Sequence, residues 1–410
     1  MRCHRIKSCV QLPALSLPSV LVFSVVIMLL VLAAYSALSL DFSRYSVHHG
    51  RKQLRLDIES AVILLCRDSC LCMPGCMASV RPYAGAGMVT VRRYNWGLYD
   101  VAVLSGESPE TLAVMLGRFR EHPAGAAFWL CDRNRALSLS ADSGIDGPVY
   151  VPVSGINYTE VGSRFYGGEH IPDSLVMVSG RMLPPADSSV LRYAGTLCRR
   201  TASLCHPGEL PSRYVTFSDD GVSAVLSGEV RDTLLGHVHV LGEELEFCGS
   251  SLVSDILVSA RKVVLRAGFR GRMQIFASDT VLVERDACLE YPSGIYVAQG
   301  MGRPYVRLDG GSKISGYVIV RGECSDSELR FPSYIQEAGA RVEGLIYVNG
   351  SCELGGEVRG AVYIQDCYHF FCGNIYAGTL CGTRISRCDS LAFPVLLEGE
   401  YRMRQVKMLH

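Results

Sequence analysis

The densest chemistry in the chain is a run of four cysteines within eleven residues: Cys66, Cys70, Cys72 and Cys76, spaced C-x3-C-x-C-x3-C around Pro74 and Gly75. Four thiolates this close can hold zinc or an iron–sulfur cluster, since both take sulfur ligands in a tetrahedral set. The run contains no C-x2-C pair, and in an oxidising compartment the same residues read as disulfides that staple a loop. His237 and His239 form a second candidate. Two apart on a strand, they share a face, which is ligand geometry in principle. No third ligand lies near them in sequence, so the pair reads as outward polar residues. No cofactor is expected.

Carboxylates at Asp219, Asp220, Asp255 and Asp279 would matter if the fold brought two of them together as acid and base, as polysaccharide-cleaving enzymes require. Other catalytic signatures are missing from the sequence: no G-x-S-x-G elbow, no H-E-x-x-H, no phosphate loop and no G-x-G-x-x-G between strand and helix. The chain is therefore read as non-enzymatic. Lysine plus arginine equals aspartate plus glutamate at 40 each, so no global field points to nucleic acid.

The elements that position these residues follow from a repeat. Val342-Glu-Gly344-Leu-Ile346-Tyr347-Val348 returns 16 residues later as Val358-Arg-Gly360-Ala-Val362-Tyr363-Ile364. Looser copies begin at Ile145, Leu234, Phe269, Ile314 and Phe371, each with glycine at the third place. Apolar residues at places one, five and seven with polar residues between give the period-two alternation of a strand. A glycine of fixed position marks a corner where backbone approaches backbone. The pattern predicts a mainly β chain with a parallel β-solenoid over 136–392, interrupted by an insertion at about 152–225 that is rich in Pro, Gly and Ser.

If the odd places face inward, place six faces out and stacks from coil to coil. Five of the seven copies carry a ring there, Tyr150, His239, Tyr347, Tyr363 and Tyr376, and the copy at Phe269 has one just past its last place, Phe276. An outer aromatic stripe of that kind is either packing within the fold or a contact surface for a second copy or a glycan.

Towards the N-terminus, a short basic tail (1–11) precedes an apolar segment (12–40) in which Ser19 to Leu40 runs 22 residues without a charge. That length of helix crosses a hydrocarbon core of roughly 30 Å. Leu54, Ile58, Ala61 and Leu65 then recur at helical spacing, extending the helix over 41–66 with a bend expected near Gly50. A cysteine-rich loop and a β-rich unit fill 67–135, with strands at Val89–Val91, Asp100–Leu104 and Ala127–Leu130 and a helix over Ser108–Leu116. Residues 393–410 are read as a C-terminal tail. A short basic tail before a long domain favours the N-terminus inside and the domain exported, a single-pass inner-membrane arrangement. Seventeen cysteines lean the same way, towards disulfides.

The repeat, clearest over Ala340–Gly350 and Gly356–Ile364, resembles the bactofilins, bacterial scaffold proteins with a β-helical core. The resemblance implies a right-handed β-helix, polymerisation through the coil ends and a scaffold role at the cell envelope. Over about residues 12–66, a membrane helix running on into an amphipathic segment resembles the N-terminal architecture of type IV pilins and pseudopilins, which implies a component of a surface filament or secretion machine. The expected partners are the membrane, other copies of the chain, and an envelope protein or glycan.

Overall fold

A computed structural model describes residues 16–106, 111–119, 125–200, 214–300, 302–322, 332–388, 392–394, 396–398 and 402–409. The chain divides into two units, Met1–Glu59 and Ser60–His410. Most of the first unit is helix α1, Ser16–Arg67, which runs on for 52 residues and ends in the second unit. Its apolar stretch lies fully exposed, and it is long and apolar enough to cross a membrane or to act as a signal sequence. The helix passes Gly50 without interruption, against the expected bend. Beyond the apolar stretch it is knitted by pairs one turn apart, Arg55 with Glu59 at 2.9 Å and Gln53 with Asp57 at 3.0 Å.

In the second unit the chain is mainly β and forms two principal sheets. The smaller is antiparallel and five-stranded: Met77–Val80, Val89–Trp96, Tyr99–Ser105, Thr111–Phe119 and Arg402–Leu409, in that order. Two sequence expectations fail here. The segment Leu112–Leu116, expected in a helix, is strand, because pairing along both edges satisfies its backbone and overrides a modest helix preference; Ser108–Glu110 lie outside the described residues. The expected C-terminal tail supplies the fifth strand, with Met403 and Leu409 buried.

The larger sheet is parallel and closes around an apolar interior. Its pairing steps one turn of chain at a time: Val222 with Val238, Val240 with Val258, Val258 with Ile275, Ile275 with Ile295, Ile295 with Val318, Val318 with Ile346, and Ile346 with Val362. These residues alternate with outward ones, and nearly all of them are buried, so the period-two pattern reports the inner face correctly. The recurring glycine has a direct physical cause. Gly316, Gly344 and Gly360 have φ of 140°, 141° and 153°. A Cβ on Gly344 would lie 1.8 Å from the Gly316 carbonyl oxygen, and one on Gly360 would lie 1.9 Å from that of Gly344. Only glycine lets one rung pass this close to the next.

Two placements differ from the sequence reading. The copy at Ile145 does not begin the stack. Phe128–Leu130 pairs with Val362–Ile364, Ile145 with Ile385, and Val149–Val151 with Val176–Val178, so segment 128–178 caps the C-terminal end of the parallel sheet. The copy at Phe371 is a hairpin instead of a rung: Asn374–Ala377 folds back antiparallel on Tyr368–Phe371 around Cys372 and Gly373, both in the left-handed region.

Candidate interaction surfaces

The aromatic stripe exists as a register column, and it is covered. Phe276 pairs with Tyr296, Tyr296 with Ile319, Ile319 with Tyr347, Tyr347 with Tyr363, Tyr363 with Trp129, and Trp129 with Tyr150. Neighbouring rings stand 4.5 Å apart for Trp129 and Tyr150 and 6.5 Å apart for Tyr347 and Tyr363. Four rings, Phe276, Tyr296, Tyr347 and Tyr363, are buried against Trp96, Tyr99, Val101 and Met115 of the five-stranded sheet and against Ala194, Leu197 and Cys198 of helix α2, Ser188–Arg199. The stripe is thus the seam between the two sheets rather than an open contact face. His239 stands one column away, in register with Leu257, and Tyr376 lies in the hairpin. Tyr296 and Trp129 were missed because their strands lack the glycine at the third place.

The histidines belong to the same seam. His237 stacks on Tyr94 at 5.4 Å and Phe217 at 5.2 Å, with the edge of Trp96 at 4.7 Å, and its Nδ1 is 3.0 Å from the Asp219 carbonyl. His239 Nε2 meets Ser259 Oγ at 2.8 Å, and Arg200 lies 3.3 Å from Nδ1. Burial, with Arg200 nearby, pushes the His239 pKa down to about 4, and burial lowers that of His237. Both face out of the parallel sheet, in alternation with the inward Val238 and Val240, and are covered there by packing.

The cysteine loop is organised by an arginine. Arg93 Nη1 donates to the carbonyls of Ser69 at 3.1 Å and Cys72 at 2.9 Å, while Nη2 is 2.5 Å from the Asp100 carboxylate. Met73–Cys76 closes a turn with Gly75 at φ 85°. Cys72 is buried, and its thiol lies near the carbonyls of Cys76 and Val91, so burial raises its pKa. Cys66 is half-buried; Cys70 and Cys76 are exposed. Among the described residues no three His, Cys, Asp or Glu side chains are placed to hold a metal, and the thirteen described cysteines are all free, without the disulfides expected from sequence. The carboxylates also stay apart in separate interactions: Asp255 with Lys407 at 2.6 Å, Asp279 with Arg261 at 3.2 Å, and Asp219 with Thr216 at 2.7 Å.

Open surface is found at the two ends of the parallel sheet. At one end Val176–Val178 pairs only with Val149–Val151, and Ile156–Tyr158 only with Leu137–Leu139, among the described residues. Val178 is 66% exposed there, with Val153 and Met182 also exposed. At the other end, among the described residues, Val222–Val225 and Gly228–Val230 each pair with a single later strand. Between these ends, rungs such as Arg341–Leu354 are paired on both sides.

No protein family, curated protein or solved structure matches this chain.

Proposed function

We propose that this chain is a membrane-anchored β-solenoid with a structural role, whose copies associate through the two ends of the coil. The observation that carries the reading is the outer edge of the terminal rungs, unpaired among the described residues, with Val178 exposed on one of them. An unpaired strand edge is a template for another strand, and proteins that stay monomeric usually blunt it with charge, proline or a bulge. Edges of opposite ends meeting head to tail would continue the same parallel pairing, a heterologous contact that builds open filaments. Helix α1, apolar and wholly exposed over its first half, is read as the anchor holding such an assembly at a bacterial envelope membrane. The in-register glycines and the stacked repeat agree with the bactofilin-like resemblance of the sequence.

The test has two parts, on the full chain. Alkaline carbonate should leave it in the membrane pellet, whereas release to the supernatant contradicts an anchor. In detergent its sedimentation should show mass rising with concentration, and Val178→Asp should lower the association constant at least tenfold. A single monomeric species at all concentrations contradicts the association.

A further inference from the structure

One long recess lies on the second unit, between the rungs at Arg341 and Glu357 and the capping segment 128–178. Two adjoining clefts of about 610 and 570 Å³ share Asp142, Glu357 and Arg384 in their walls. The floor is a register column, Arg341 to Glu357 to Arg384 to Gly144. Glu357 is engaged by Arg341 and Arg359, each at 2.6 Å. Arg384 is left without an acidic partner, and the carboxylate of Asp142 and the guanidinium of Arg164 are likewise without side-chain partners among the described residues.

Another wall is a tight turn. Val161 and Arg164 exchange backbone hydrogen bonds of 3.2 and 3.1 Å, with Gly162 at φ 56° and Ser163 at φ 65°. Gly162 is seated against Phe371, whose ring leaves no room for a Cβ. Beside the turn, Tyr158 is stacked on His170 at 4.0 Å and tilted against Tyr166 at 4.7 Å, and its hydroxyl accepts from Ile171 N at 2.9 Å. The loop thus packs its other rings and leaves Phe165 71% exposed at the lip of the recess.

An exposed ring on a fixed turn, facing a groove with open donors and acceptors, complements a sugar chain. The ring covers the C–H face of a pyranose, and guanidinium and carboxylate groups each bridge neighbouring hydroxyls. Charges of both signs line the recess, which disfavours a polymer of one sign. The floor strands Gly356–Phe371 and Thr383–Ser386 are paired on both sides, and among the described residues the one floor strand paired on a single side, Gly144–Asp146, is three residues long, too short an edge to seat a peptide strand. We infer that this recess binds a neutral glycan chain, with Phe165 stacking on a sugar ring and Arg164, Arg384 and Asp142 holding its hydroxyls.

The inference is independent of end-to-end association. Affinity electrophoresis of the full chain in mild detergent, through gels containing hydroxyethyl cellulose, laminarin, galactomannan or polygalacturonate, tests it. Retardation by at least one neutral polysaccharide is expected, weakened about tenfold by Phe165→Ala and similarly by Arg384→Gln. Both positions are exposed, so circular dichroism should report unchanged folding. Retardation by none of the gels, by polygalacturonate alone, or undiminished in both variants overturns the proposal.

Discussion

The central rungs and the terminal rungs are built from the same alternation and end in opposite states. Arg341–Leu354 and Gly356–Phe371 are long, paired on both sides, apolar inside and, at Leu345, Tyr347 and Tyr363, covered outside by the seam. Val176–Val178 is three residues long, paired on one side, and leaves Val178 in solvent. Stability therefore concentrates in the middle, where the strands are paired on both sides, and capacity for new pairing concentrates at the ends.

The comparison is broken most severely at a central glycine. Gly344→Val places a side chain against the Gly316 carbonyl at a φ that branched residues avoid, and should destabilise the fold by more than about 4 kcal/mol, read as loss of a cooperative melt. Tyr363→Ala empties part of the buried seam and should cost about 3 kcal/mol or more in urea denaturation. Tyr376→Ala, in the half-exposed hairpin, should cost about 1 kcal/mol or less. Equal losses at Tyr363 and Tyr376 would argue that the stripe is not divided between seam and hairpin.

Acid sharpens the same contrast. The folded His239 pKa is about 4, against 6.5 for a free histidine. The unfolded chain therefore takes up a proton that the folded chain refuses. The contribution of His239 is fully present above pH 6.5 and declines as pH falls towards 4, by up to about 3 kcal/mol. Urea titrations at pH 7 and pH 4.5 should show a larger drop for the wild type than for His239→Asn; identical drops contradict the assignment. The smallest effect is at the end rung: Val178→Asp should change monomer stability by no more than about 0.5 kcal/mol while weakening association.

Much of the fold was legible because period two and a steric glycine are both local signals. Val342–Val348 and Val358–Ile364 pair residue for residue as their spacing implied. What covers the outward rings was not legible, since Trp96, Tyr99 and Leu197 join Phe276, Tyr347 and Tyr363 in one apolar cluster only through tertiary folding. The stacking order was hidden for the same reason: nothing local tells Phe128–Leu130 that its neighbour is Val362–Ile364. The Cys66–Cys76 run reads as a ligand set in one dimension, whereas Arg93, a distant residue in sequence, decides the shape of the loop by binding its carbonyls. The recess at Phe165 carried no motif, because its groups come from rungs and a turn far apart in the chain.

Hydrogen exchange followed by mass spectrometry on the detergent-solubilised full chain, at a low and a high protein concentration, tests the central claim most directly. Peptides covering Val342–Val348 and Val358–Ile364 should be protected equally at both concentrations. Those covering Val176–Val178 and Val222–Val230 should exchange fast when dilute and slow down when concentrated. Terminal peptides that are as protected as the central ones when dilute, or that ignore concentration, would contradict an account in which the ends are open and pair with other copies.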